Sequence, residues 1–308
     1  GLHHWAATGM MVAVGLHMLQ VFFWGAYKKP RQIIWVIGIL LLVLTFGFAF
    51  TGYLLPWDQK AFWATVVGTN IAGSIPLVGE WMRDLLRGGT SVGALTLTRF
   101  FAIHIYLLPP LMAGLVGFHI FQVRKRGITP SWVRVCEEPV GHDIKPAQRF
   151  WPDQAFRDLV VSLIALVILL VVAVKVGAPI EPMANPSDTA YVPRPEWYYL
   201  WLFELLKYFP GQWEFVGGVL LPTVGIVGLF LLPFLDRNPE RRPRKRPFVS
   251  FACFGTLSAM TFLGINAIAT TAHVKPLSPL AMQGEKIFLD QRCQSCHGIN
   301  GGGGNAGP

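Results

Sequence analysis

Six of the stretches without Asp, Glu, Lys or Arg stand out as strongly apolar: residues 1–27, 32–57, 100–123, 159–174, 215–235 and 247–274. A helix needs about 20 apolar residues to cross a hydrocarbon core roughly 30 Å thick. Five of the stretches reach that length. The fourth is shorter, but Lys175 at its end can lay its aliphatic stem along the helix while its ammonium stays in water, and Val176 continues the run. A water-soluble helical core does not sustain uncharged runs this long. The sequence therefore predicts an all-α membrane protein, a transmembrane bundle of six helices. Only 14% of the residues are charged, against about 25% in soluble domains. That excludes a disordered chain and an ordinary soluble enzyme.

The net charge of +9 could point to nucleic acid, but the positions of the cations exclude it. Lys28, Lys29 and Arg31 share one short loop. Arg124, Lys125, Arg126, Arg134, Lys145 and Arg149 share a second, and Arg237, Arg241, Arg242, Arg244, Lys245 and Arg246 a third. The opposite side carries Lys60, Arg83, Arg87, Arg194, Lys207, Lys275, Lys286 and Arg292 over much more chain. Basic loops stay in the cytoplasm. The three short loops are therefore placed inside and the C-terminal tail outside. The lipid bilayer is the partner that this charge pattern reports.

Polar side chains at membrane depth are costly and usually functional. His17, His104 and His119 lie inside apolar runs, and His3 and His4 begin the first. His3 and His17 are 14 residues apart, which leaves about −40° at 100° per residue, so they share a helix face. The 13 residues from His4 leave about −140°, so His4 points elsewhere. His104 and His119 are 15 apart, a residual of about +60°, with Pro109 and Pro110 between them to distort the turn. Each pair spans roughly 21–22 Å of helix. Two helices with such pairs can form two bis-imidazole sites stacked across the membrane, and imidazole is a standard axial haem ligand. Gly38 and Gly52 on the second helix repeat the 14-residue period. A residue without a side chain lets a flat macrocycle approach the backbone.

Cys293-Gln294-Ser295-Cys296-His297 reads C-x-x-C-H, the attachment motif of a c-type haem. Cys293 and Cys296 would bond the vinyl groups and His297 the iron. No Met follows it, so the second axial ligand is expected beyond the chain end. Cys136 and Cys253 have no partner spacing and read as free thiols. The chain has no starting Met, opens inside an apolar helix and stops in a Gly-rich stretch just past the motif. Both ends read as cut.

The histidine pairs, Gly-Tyr-Leu-Leu-Pro-Trp-Asp (52–58), Thr-Leu-Thr-Arg-Phe (96–100) and Pro-Glu-Trp-Tyr (195–198) together resemble cytochrome b of quinol oxidoreductase complexes. The resemblance covers roughly residues 1–270. The 15-residue spacing and the Tyr27-Lys28-Lys29-Pro30-Arg31 loop are similar to the cytochrome b6 branch. It implies a di-haem domain over 1–149, a subunit-IV-like domain over 150–272 and the start of a small α-helical cytochrome c domain over 273–308. The family has one further helix ahead of the first seen here, and often carries Arg where His4 stands.

The resemblance also implies a reaction. Quinol is oxidised near the outer face. One electron goes to a Rieske iron–sulfur protein and the other through two b haems to quinone near the cytoplasmic face, with proton translocation. His3 and His104 would ligate the outer haem, and His17 and His119 the inner one. Arg99 would meet a haem propionate. Glu196, a carboxylate in an aromatic apolar segment, would accept the quinol proton, with Tyr198 positioning the ring. Arg124 and Asp158 would flank the quinone-reduction site. The implied setting is a dimeric complex in a bacterial-type plasma membrane. It would include other subunits and pass electrons to a soluble cytochrome c or similar acceptor, with the c haem on the periplasmic side. Two alternatives compete: a di-haem b-type anchor of a dehydrogenase, which leaves Pro-Glu-Trp-Tyr unexplained, and a proton-coupled transporter, which leaves C-x-x-C-H unexplained.

Overall fold

A computed structural model describes residues 1–129, 149–188, 191–271, 279–291, 298–299 and 302–303. Six helical spans in it are long and apolar enough to cross a membrane: Leu2–Phe23, Gln32–Tyr53, Ala94–Arg126, Phe150–Lys175, Gly211–Leu235 and Pro247–Thr270. Each contains one of the six uncharged stretches or most of it. The α-helices are α1 (Leu2–Phe23), α2 (Gln32–Tyr53), α3 (Gln59–Gly73), α4 (Gly79–Arg87), α5 (Ala94–Ala102), α6 (Leu108–Arg126), α7 (Ala155–Lys175), α8 (Leu200–Leu206), α9 (Leu221–Leu235), α10 (Pro247–Thr271) and α11 (Pro279–Asp290). Among the described residues the strands are one antiparallel pair, Gly298–Ile299 with Gly302–Gly303.

The spanning helices are apolar on every face, as lipid requires. No residue of α7 is buried, and Val161 and Val174 are 65% and 80% exposed. In water such a surface would be a liability; in a bilayer it faces hydrocarbon.

The chain divides into two compact units. The first comprises residues 1–52, 102–180 and 223–256. Its core packs Phe22, Tyr27, Trp35 and Ile39 against Leu229, Phe230, Leu232 and Val249. Pro233 lies inside α9 and has no N–H for the Leu229 carbonyl four residues back. The Trp35 indole supplies the missing donor at 2.6 Å. Beside this core a charged cluster is buried. Asp236 accepts from Tyr27, meets Lys28 Nζ at 2.7 Å and Arg246 Nη1 at 3.3 Å. Arg246 Nη1 also donates to the Tyr27 hydroxyl at 2.6 Å, and Arg241 donates to the Gly25 carbonyl. Burial pushes the Asp236 carboxyl up, but hydrogen bonds from Lys28 and Tyr27 and the charges of Lys28 and Arg246 outweigh it, and the group lies below the usual carboxylate range. Burial raises the Tyr27 hydroxyl and lowers the Lys28 ammonium.

The second unit comprises residues 53–101, 181–222 and 257–308. Asp58 caps α3 by accepting from the Ala61 N–H at 2.8 Å and also takes the Glu181 N–H at 3.2 Å. Gln59 donates to Asp188 at 2.8 Å and accepts from the Asn185 N–H at 2.6 Å. These bonds tie the segment before Pro-Glu-Trp-Tyr to the start of α3. Arg87, buried at the end of α4, donates to Thr69 at 2.8 Å and to Asn70 at 2.9 Å. Both units draw on residues on either side of position 150.

Candidate functional site

The first unit brings the membrane histidines together in two pairs. His3 and His104 face each other with ring centroids 6.2 Å apart, and His17 and His119 with 6.5 Å. His4 instead lies edge-on to Trp5 at 5.2 Å. Two imidazoles on opposite sides of one metal ion, with bonds of about 2.0–2.1 Å, hold their ring centres roughly 6 Å apart. The donor set and spacing therefore fit a flat macrocycle whose iron takes one imidazole on each side.

A π-helical turn, Ile103–Leu107, joins α5 to α6 and holds His104. Such a turn takes up one extra residue. The 15-residue spacing then behaves as 14, and its residual falls to about −40°, the value for His3 and His17. The prolines supply the reason. Pro109 and Pro110 have no N–H to donate, and a wider turn relieves the clash of a proline ring with the carbonyl four residues earlier.

Helix α2 supports both pairs. A Cβ placed on Gly52 would lie 2.5 Å from His104 Cε1, and one on Gly38 would lie 3.6 Å from His119 Cε1. At Gly52 it is the imidazole itself that needs the space. Thr51 Oγ1 donates to the Gly47 carbonyl at 2.8 Å and sits 3.2 Å from His104 Nδ1. Its one proton is committed, so it accepts from Nδ1–H. That tautomer, assigned from the hydrogen-bond network, leaves the Nε2 lone pair free for a metal. The His119 ring, whose Nδ1 is buried, has the Ile34 carbonyl as its backbone partner. Thr51 is adjacent to Gly52 in sequence, and a Thr beside a period-matched Gly was the only local hint of its role.

The second unit holds the Pro-Glu-Trp-Tyr segment. Glu196 precedes the 3₁₀ turn Trp197–Tyr199 and makes no side-chain cap bond. Its Oε1 instead meets Lys60 Nζ at 2.9 Å. Lys60 also lies 5.7 Å from the centroid of the Tyr53 ring. The Tyr198 ring packs against Trp197 and Tyr199, and burial together with the Glu196 charge pushes its hydroxyl up to about 12. Sequence reasoning counted Lys60 only as an outer-side cation, because its partner is 136 residues away.

The remaining expected residues fall as follows. Arg99 donates to the Leu85 carbonyl near the C-terminal end of α4. Arg124 is exposed in the last turn of α6. Asp158, in the first turn of α7, accepts from Gln154 at 2.8 Å. Among the described residues no ion pair joins Arg124 to Asp158. Cys293, Cys296, His297 and Cys136 lie outside the described residues, and Cys253 is a free thiol.

A membrane bundle with paired imidazoles across it defines the class: haem-binding electron-transfer proteins of the bilayer. Comparison with known proteins narrows this. Residues 8–187 match the family described as cytochrome b(N-terminal)/b6/petB, 183–283 match cytochrome b(C-terminal)/b6/petD, and 281–308 match cytochrome c. The chain belongs to the cytochrome b/b6 family and is an integral membrane protein; its cytochrome b and c regions imply haem cofactors. It is 37% identical over 281 residues to a cytochrome bc complex cytochrome b subunit of Chlorobaculum thiosulfatiphilum, covering 90% of this chain and 63% of that one. It is 52% identical over 130 residues to the menaquinol:cytochrome c reductase cytochrome b subunit of Bacillus subtilis (strain 168), covering 42% of this chain and 58% of that one. The chain thus spans about six tenths of the length of these relatives. A solved structure titled hyperthermophilic respiratory Complex III superposes with a TM-score of 0.71 at 30% identity, covering 92% of this chain and 73% of that one.

Proposed function

We propose that this chain is the cytochrome b subunit of a quinol-oxidising, proton-translocating bc-type complex. The observation that carries the reading is the two facing imidazole pairs, at 6.2 and 6.5 Å, on the helices that the histidine period selects. The names of the relatives, a cytochrome bc complex subunit and a menaquinol:cytochrome c reductase subunit, support quinol as the substrate class.

His3 and His104 hold the outer b haem, and His17 and His119 the inner one. Thr51 fixes the His104 tautomer, Gly52 gives the His104 ring room, and Gly38 lies in ordinary contact with His119. Arg99, on the outer side, is the candidate partner for a propionate. Bound haem supplies a path for electrons across the bilayer. Glu196 accepts a proton from quinol at the outer face, and Tyr198 positions the ring. Arg124 and Asp158 serve quinone binding on the cytoplasmic side. Cys293, Cys296 and His297 hold a c haem on the periplasmic side, within a third domain that begins near 273, and the first two domains divide near 150. A Rieske protein, further subunits, a second copy of the complex and a soluble electron acceptor complete the assembly in a bacterial-type plasma membrane.

A pyridine haemochrome spectrum of the purified complex, read alongside turnover of a Glu196→Gln variant, tests this reading. Two b haems for each c haem in this chain are expected. The variant keeps the side chain's size and hydrogen bonding but accepts no proton, so quinol oxidation falls by about 10- to 1000-fold with both b haems spectrally normal. A protein without b haem would be a transporter instead, and wild-type turnover by the variant across pH would remove Glu196 from the reaction.

A further inference from the structure

The Glu196 carboxylate has a cationic partner that neither the aromatic segment nor its own helix supplies. Lys60 projects from the first turn of α3, two residues past the Asp58 cap, and its Nζ stands 2.9 Å from Glu196 Oε1. The pair is partly covered, with side chains 24% and 18% exposed. The cap fixes where α3 begins, and the bonds from Asp58 and Gln59 to residues 181–188 fix where the approach to Glu196 runs. Both partners are therefore held by ordered backbone.

Among the described residues, the other titratable groups tied to this site are tyrosines and carboxylates. Tyr53, at the end of α2, and Tyr198, on the turn that Glu196 precedes, are within electrostatic reach of it. Asp58 and Tyr191 also act on Tyr53, and Glu181 accepts from the Tyr191 hydroxyl at 2.7 Å. Lys60 is thus the cation in direct contact with the carboxylate.

Resting on the reading of Glu196 as proton acceptor, we propose that Lys60 is the positioning residue that holds the Glu196 carboxylate aimed before quinol arrives, and that releases it once protonated. The proton balance is simple. The quinol O–H bond breaks, a Glu196 O–H bond forms, and Lys60 keeps its own proton throughout. Protonation cancels the charge that holds the ammonium at 2.9 Å. The ammonium then retains a second favourable seat, the Tyr53 ring face at 5.7 Å, and contact with water. The neutral carboxylic acid is left free to turn away and discharge its proton outside.

The test uses the intact complex carrying Lys60→Met, Lys60→Gln, Lys60→Arg or Glu196→Gln, with quinol oxidation followed from pH 5 to 9 and the b-haem spectra checked for each. Without the cation the carboxylate loses the charge that faces it, so the acid limb of the rate profile moves upward in the Met and Gln variants. The pair is partly solvated, so the displacement of the limb is modest. The Arg variant restores the wild-type limb. A Glu196→Gln variant with wild-type turnover overturns the reading of Glu196 itself. A slow Glu196→Gln variant beside Met and Gln profiles that superimpose on wild type overturns the role of Lys60 alone. So does a Lys60→Arg profile that matches Lys60→Met. If Lys60→Met does not assemble, Lys60→Gln, which keeps a polar side chain, carries the same comparison.

Discussion

Gly52 lies against the edge of the His104 imidazole with no room for a methyl group, since a Cβ there would stand 2.5 Å from Cε1. Gly38 has the same relation to His119 at 3.6 Å, an ordinary contact. Two glycines that look equivalent in sequence therefore differ in consequence. Gly52→Ala should displace His104 and remove the outer b haem, whereas Gly38→Ala should retain both. Reduced-minus-oxidised spectra of the two variants distinguish these outcomes, and loss of both haems from Gly38→Ala would contradict the geometry.

Thr51 passes its proton to the Gly47 carbonyl and takes one from His104 Nδ1. Thr51→Val removes that acceptor while keeping the shape. Loss of a partner behind a metal-binding imidazole costs about 10- to 100-fold in affinity. The outer haem should be lost more readily on dilution or should shift its midpoint potential, with the inner haem unaltered, and Thr51→Ser should restore it. A potentiometric titration resolves the two haems separately.

On the proposed ligand assignment, the two pairs hold different haems. His119→Ala should remove the inner b haem and leave the outer one, and His4→Ala should leave both. A His119→Ala protein that retained two b haems would break the assignment of pairs.

Asp236→Asn leaves Lys28 and Arg246 buried without their carboxylate, a loss of about 3–5 kcal/mol for a broken buried pair. The carboxyl lies below its usual range in the folded protein. Its stabilisation is therefore complete above about pH 4, where an unfolded Asp is ionised, and is lost as pH falls through the folded value. Thermal unfolding in detergent between pH 3 and 7 should show that acid-side loss in the wild-type protein and a flatter profile in the Asn variant.

Trp35→Phe removes the donor that satisfies the Leu229 carbonyl next to Pro233. An acceptor left unpaired in an apolar interior costs about 1–3 kcal/mol. The same unfolding assay should show that loss, and a Pro233→Ala change in the Phe background should recover part of it by returning a backbone donor.

The spanning helices were legible because lipid tolerates so few charges that their limits appear in the sequence as charge-free runs. The histidine faces were legible on α1, where the helix is regular, and only approximately on the second histidine helix, where the residual of +60° ignored a π turn. Pro109 and Pro110 announced a distortion without saying which kind. Thr51 and Lys60 were illegible for a different reason. A Thr near the end of a membrane helix and a Lys at a membrane edge are ordinary. They acquire their importance from His104 and Glu196, which lie 53 and 136 residues away.

The buried cluster around Asp236 bears on how such a protein is mapped. Lys28, Arg241 and Arg246 are among the loop cations from which the sequence reading places the cytoplasmic side, yet in the fold they are only 3%, 0% and 2% exposed. The folded chain withdraws these charges from solvent. Amine- or guanidine-modifying reagents applied to intact vesicles would therefore pass over them. A labelling map would record a less basic face on that side than the sequence alone displays.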